Sequence, residues 1–171
     1  IPCFFISRAD HISGGEMYYK YEGFANQMHK YRFTLKFYMR CNSGRQFSNP
    51  VIIAIFDKSS SARINNLEVP LASTETLNRI DDNECITNPP TVCYEVGYYY
   101  FDVSLPESIS GYVVAAQVNY RINGINNLQP GYNNIGATYT AEIPGKEPQT
   151  GASVNISARF IGSDMVVVCA N

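Results

Sequence analysis

Between Lys30 and Arg40 the side chains alternate without a break, with Tyr31, Phe33, Leu35, Phe37 and Met39 on one parity and Arg32, Thr34, Lys36, Tyr38 and Arg40 on the other. A period of two places each set on its own face of a β-strand, one face in a core and the other in water. The same alternation recurs at Glu16 to Tyr21, at Tyr98 to Leu105 (Tyr99, Phe101, Val103, Leu105) and at Tyr112 to Tyr120 (Tyr112, Val114, Ala116, Val118, Tyr120). Val51 to Phe56 and Met165 to Cys169 are nearly continuous and β-branched, the pattern of strands covered on both faces. Gly136 to Ile143 and Ser153 to Phe160 complete the set.

Turn-forming clusters separate these runs: Asn42-Ser43-Gly44, Ser59-Ser60-Ser61, Pro106 to Gly111, Asn123-Gly124, Pro130-Gly131 and Pro144-Gly145. The one helical candidate, Ser73 to Ile80, is too short and too polar to carry a fold. Short strands at this spacing predict an all-β chain folded as an antiparallel β-sandwich, with a barrel as the other solution. Thirteen Tyr and nine Phe with no Trp suit half-buried sheets. With 171 residues and 45% hydrophobic side chains, residues 10–171 are expected to form a single sandwich domain.

Thirteen basic against fifteen acidic residues give a net charge of -2, so no global positive field is present to hold a phosphate backbone, and nucleic acid is not an expected partner. No run of about 18 apolar residues is present, so no membrane-spanning helix is expected.

The five cysteines, Cys3, Cys41, Cys85, Cys93 and Cys169, form no CxxC pair, which removes zinc-ribbon, thioredoxin-like and c-haem readings and leaves disulfides. Cys85 and Cys93 bracket a short polar stretch whose Pro89-Pro90 pair forces a turn-rich path, and a bridge there would remove about 2.5 kcal/mol of loop freedom from the unfolded chain. Cys41 and Cys169 follow long apolar runs and are expected to tie the first and last core strands. Four cysteines allow three connectivities, so the pairing stays open.

Cys3 sits in the apolar start IPCFFI, followed by Ser7-Arg8-Ala9 with small residues where a signal peptidase needs them. Residues 1–9 read in two ways: as the remnant of a secretory signal, or as an edge strand lent to a neighbouring subunit.

Little in the chain points to catalysis. His11 and His29 lie in no HExxH or HxH arrangement, and Asp10-His11 reads more simply as a solvated chain end than as a pair of metal ligands. No GxSxG elbow, dinucleotide glycine pattern or phosphate loop is present, so the chain is read as a non-enzyme. Asp81, Asp82 and Glu84 are the candidate metal ligands, since hard oxygen donors on one loop suit Ca²⁺; the plainer reading is a solvated acidic loop, and no other cofactor is expected. Tyr98 and Tyr100 are the candidate glycan contacts, because alternate tyrosines on one sheet face can stack on sugar rings and hydrogen-bond through the phenol. The plainer account of such tyrosines is cross-strand packing. Asn155-Ile156-Ser157 satisfies the N-glycosylation sequon.

The ordered segments DHISGGEMYYKYEG, YRFTLKFYMRCNSGRQFSNPVIIAIFD, CYEVGYYYFDVSLPESISGYVVAAQVNYR, INNL, GATYTAEIPG and VVVCAN span about Asp10 to Asn171. Together they resemble the N-terminal region of large Bacteroidetes cell-surface proteins, which carry PKD-like repeats and gliding-motility or type 9 secretion sorting domains. The resemblance implies an extracellular, Ig-like or PKD-like, disulfide-stapled sandwich serving adhesion or filament assembly, and it supplies no substrate. Where members of that family show a Cys-Cys pair, this chain reads Gln117-Val118-Asn119-Tyr120-Arg121, so the family's disulfide pattern does not transfer, and a Cys41 to Cys169 bond gains only by elimination. Relatives continue into a further domain where this chain stops, which makes it a fragment or a subunit ending on its last strand.

The expected function is therefore that of a non-enzymatic, exported surface module of a bacterial adhesin or filament, whose partners are other subunits or domains of a surface assembly, or surface glycans. Two alternatives stand beside it. One is a fibre subunit that polymerises by strand donation, and the other is a carbohydrate-binding module.

Overall fold

The alternation from Lys30 to Arg40 becomes strand β2 (Met28–Arg40), and every residue of its apolar parity from Tyr31 to Met39 is buried. The structure is a computed structural model that describes residues 11–77, 93–119, 121–122, 124–132, 135–146 and 157. In it β2 lies between β1 (Ile12–Ala25) and β6 (Tyr94–Leu105), antiparallel to both, and β5 (Ser73–Leu77) pairs with the other edge of β6. The second sheet has the order β4 (Arg63–Val69), β3 (Val51–Asp57), β7 (Gly111–Val118), β8 (Ala137–Pro144), again antiparallel throughout. The two four-stranded sheets pack face to face as an antiparallel β-sandwich.

The core is the set of inward parities. Phe33 stands opposite Phe101 and Leu35 opposite Tyr99 across the β2–β6 ladder, and Ile53, Ile55, Val114 and Ile143 face them from the second sheet. The Phe33 and Phe101 rings stack with centroids 5.0 Å apart and an interplanar angle of 9°. Gly97 is required on β6 because the Phe47 ring, carried in by the β2–β3 connection, lies over it, and an added methyl group would meet ring carbons at 2.8 Å. The same connection is held again where Tyr99 donates its hydroxyl hydrogen to the Ser48 carbonyl at 2.7 Å.

One side of the sandwich is closed by β1, which reaches both sheets. Tyr19 donates from its hydroxyl to the Glu142 carbonyl on β8 (3.0 Å), and Ile12 forms a parallel bridge to Arg121. At the outer edge of β1 the Tyr19 amide donates to the Ser157 hydroxyl (2.7 Å) and the Ser157 amide donates to the Tyr19 carbonyl (3.3 Å). The β1–β2 hairpin turns through Asn26 and Gln27, both at positive φ (54° and 59°), which matches the twist of the flanking strands.

Four sequence expectations need correction or completion. The disulfide joins Cys41 to Cys93, with Cα atoms 5.4 Å apart, in place of the expected Cys85–Cys93 and Cys41–Cys169 pairs. The reason is register: Arg40 and Tyr94 are the last partners of the β2–β6 ladder, so the next residue on each strand stands opposite the other. Cys3, Cys85 and Cys169 lie outside the described residues. Ser73 to Leu77 is an edge strand, with residues 78–80 outside the description, because β6 offers a free ladder and Thr74 and Thr76 suit an extended backbone. Val51 to Phe56 is covered on one face only: Val51, Ile53 and Ile55 are buried, while Ile52 is 50% exposed. Finally, β4 has no counterpart among the expected strands, since only Leu67 and Val69 of its residues are sheltered and its apolar signal is correspondingly weak. The expected strands at Ser153 to Phe160 (Ser157 apart) and Met165 to Cys169, and the segment 1–9, lie outside the described residues.

Buried phenols give the sandwich an alkaline limit. Burial, followed by the neighbouring phenols of Tyr19, Tyr21 and Tyr112, pushes Tyr31 up to about 12 from its ordinary 10.0. Burial also raises Tyr99. A raised folded pKa means that the folded state favours the neutral phenol, so this contribution to stability is complete below pH 10 and is lost as pH rises from 10 toward 12. The expected result is cooperative loss of β-sheet circular dichroism in that window, coincident with the appearance of buried phenolate absorbance. Tyr31→Phe, which keeps the ring, moves the midpoint upward; an unchanged midpoint would contradict the assignment.

A candidate binding face on the first sheet

The outward parities of β1, β2 and β6 make a face on which each row is set by register. Glu16, Lys36 and Tyr98 form one row and Tyr18, Thr34 and Tyr100 the next, and Arg32 stands beside Asp102 beyond them. Tyr98 and Tyr100 share this face because they are two apart on β6, while Tyr99 between them points into the core.

The row through Lys36 is the most ordered part. Its ammonium lies 3.0 Å from Glu16 Oε1 and 5.7 Å from the centre of the Tyr98 ring, with only 13% of the side chain exposed. Tyr38 donates its hydroxyl hydrogen to the same Glu16 oxygen at 3.3 Å. Tyr98 donates to Glu75 Oε2 on β5 at 2.9 Å. The Tyr98 ring is thus held from both sides. Tyr100 lies nearly parallel to it (17°, centroids 6.2 Å apart) and is 52% exposed; among the described residues no group hydrogen-bonds its hydroxyl.

Beyond Tyr100, Arg32 grips Asp102 with two hydrogen bonds, Nε to Oδ1 at 2.9 Å and Nη2 to Oδ2 at 3.1 Å. The first effect of that grip is to hold the Asp102 carboxyl below the usual carboxylate range. Chemically the face offers one fixed and one open aromatic ring, flanked by carboxylates that accept hydrogen bonds and a cation that donates them. That is equipment for stacking on and hydrogen-bonding a polyhydroxylated or aromatic partner.

The remaining sequence candidates are placed as follows. Asp81, Asp82 and Glu84 lie outside the described residues, as does Asp10. Among the described residues no three His, Cys, Asp or Glu side chains gather where they could hold a metal ion. His29 is buried beside Tyr21, whose hydroxyl is 3.2 Å from Nδ1, with the Phe24 ring centred 4.7 Å away, so it belongs to an aromatic cluster at the β1–β2 hairpin. Asn155 of the sequon is outside the description, and the Ser157 hydroxyl is engaged by the Tyr19 backbone. What the sequence reading missed is the frame around Tyr98. Lys36, Glu16 and Glu75 become neighbours only through the pairing of four strands, although the outward parity of Lys36 was legible in the alternation.

No family model, curated protein or solved structure matches this chain. Nothing in those comparisons links it to Bacteroidetes surface proteins or type 9 secretion.

Proposed function

We propose that this chain is a non-enzymatic, exported surface module of the bacterial adhesin or surface-filament kind, which acts through contact. The observation that carries the reading is the Tyr98–Tyr100 pair, Tyr100 being half-exposed, on a central strand of a sheet pinned at one end by the Cys41–Cys93 bond. Exposed aromatic rings on rigid strands present contact area with little conformational entropy left to lose. A disulfide is also more at home in an oxidising, extracytoplasmic compartment than in the cytosol.

The specific arrangement of the rings favours a glycan as the partner. Tyr100 leaves a ring surface and a hydroxyl open, Tyr98 is locked by Glu75 and Lys36, and the surrounding carboxylates are acceptors for sugar hydroxyls. The test is retention of the full chain on immobilised neutral polysaccharides such as xylan, cellulose and mannan. Wild type is expected to be retained on at least one of them, and Tyr98→Ala/Tyr100→Ala to lose about tenfold or more in affinity with an unchanged circular dichroism spectrum. Equal retention of the two proteins, or no retention of wild type on any of the three, would remove the glycan reading.

A further inference from the structure

The outer face of the second sheet carries a hollow of about 680 Å³, on the side of the sandwich opposite Tyr98. Its shape follows from register. Ala54 of β3 and Ala115 of β7 are direct partners and make a low floor in the middle of the sheet. On one side of that floor Phe56 stands between Arg63 and Val113, and on the other Ile52 and Gln117 rise from the same two strands. Phe56 and Ile52 therefore wall a depression whose depth comes from two methyl groups at its centre.

The polar side chains that line it are uncharged apart from Arg63; Glu68, opposite Ile52, and Glu142, opposite Val113, stand on the same face outside the lining. Asn66 and Asn119 contribute amides, Ser61 a hydroxyl, and Gln117 and Thr138 a linked pair in which Gln117 Nε2 donates to Thr138 Oγ1 at 3.3 Å. Amides and hydroxyls each both donate and accept, which is the requirement set by a ligand covered in hydroxyl groups. Arg63 is the only charged side chain of the lining, and among the described residues no acid pairs with it, whereas nearby Lys58 is already held by Glu142 at 2.6 Å. The volume lies within the range of roughly 300–1,000 Å³ typical of small-ligand sites.

We propose that this hollow binds a short acidic saccharide, its sugar C–H faces against Phe56 and Ile52, its hydroxyls on the neutral amides, and one uronate carboxylate on Arg63. An uncompensated guanidinium beside neutral amides selects a ligand carrying a single negative charge on an otherwise neutral, hydroxylated body. The site is independent of the Tyr98–Tyr100 face, which lies on the other sheet.

The test titrates the full chain with an aldotetraouronic acid, three neutral xyloses carrying one glucuronate, and with its methyl ester, followed by calorimetry and amide chemical shifts. The acid is expected to bind about tenfold tighter than the ester. Arg63→Gln abolishes that difference while keeping the ester affinity, Ala54→Trp plants an indole on the floor and removes both, and Tyr98→Ala/Tyr100→Ala changes neither. If Ala54→Trp does not fold, Gln117→Ala, a surface change, is expected to weaken both ligands several-fold. The proposal is overturned by any of four results: no binding of the acid at millimolar concentration, equal affinity for acid and ester in wild type, binding lost in the double tyrosine variant, or concentration-dependent dimers that compete with the saccharide for the hollow.

Discussion

Phe33→Ala is expected to lower the unfolding free energy by about 3–5 kcal/mol, the largest effect of any single substitution considered for this chain. Phe33 is fully buried, lies flat against Phe101 at 5.0 Å and touches the Tyr19 ring at 5.3 Å. Removing the ring takes apolar surface out of the core and leaves a void that neighbours on two antiparallel ladders cannot close, because moving either strand would break its hydrogen bonds. Chemical denaturation followed by circular dichroism measures the loss. A change below about 1.5 kcal/mol, the size expected at a position that can collapse, would show that β2 does not run through the centre of the core. Phe33→Leu, which keeps most of the volume, should recover a large part of the loss.

Cys41→Ser/Cys93→Ser should cost about 4 kcal/mol, acting mainly on the unfolded chain. The bond spans a sequence separation of 52, and closing a loop of that length removes much more freedom from the unfolded ensemble than the expected Cys85–Cys93 bridge would have done. For a chain of this size the loss corresponds to a fall in Tm of roughly 10 °C. The double variant separates this bond from whatever the other three cysteines do, and a peptide map under non-reducing conditions should recover Cys41 and Cys93 in one linked fragment. A variant that melts within a degree or two of wild type, or a map linking Cys93 to Cys85, would refute the assignment. Spectroscopically the folded variant should look native, since the β2–β6 ladder carries twelve partner pairs without the sulfur atoms.

The two candidate faces illustrate different degrees of legibility. Tyr98 and Tyr100 could be assigned to an outer face from parity alone, because Tyr99, Phe101 and Val103 had to be the buried set. Their fixation could not, because Glu75 belongs to an edge strand in a segment that reads from the sequence as a short helix. The hollow on the second sheet was concealed by its own composition. Val51 to Phe56 looks like a strand buried on both sides, and only the packed structure leaves the Ile52, Ala54 and Phe56 face open. A run of apolar residues carries no statement of what lies above it.

The β1–β2 turn had no strong local signal either. Ala25-Asn26-Gln27-Met28 lacks the glycine usual after asparagine in such a turn, and the left-handed conformation at Gln27 is imposed by the ladder that starts at Ala25 and Met28 and continues through Tyr19 and Phe33.

By itself the sequence determined that this chain is all β, which residues of β2, β6 and β7 face inward, and where most of the strands break. Those properties follow from a period of two and from turn residues, both of which act over a few positions. The tertiary structure alone decided that β2 pairs with β6 and β3 with β7, that Cys41 meets Cys93, that Ser73 to Leu77 is extended, and that one apolar face stays open. These depend on which strands become neighbours across separations well beyond any local pattern, from the pairing of Leu77 with Tyr94 to the Cys41–Cys93 separation of 52. That choice is made by the register and packing of whole sheets against one another, and no local pattern encodes it.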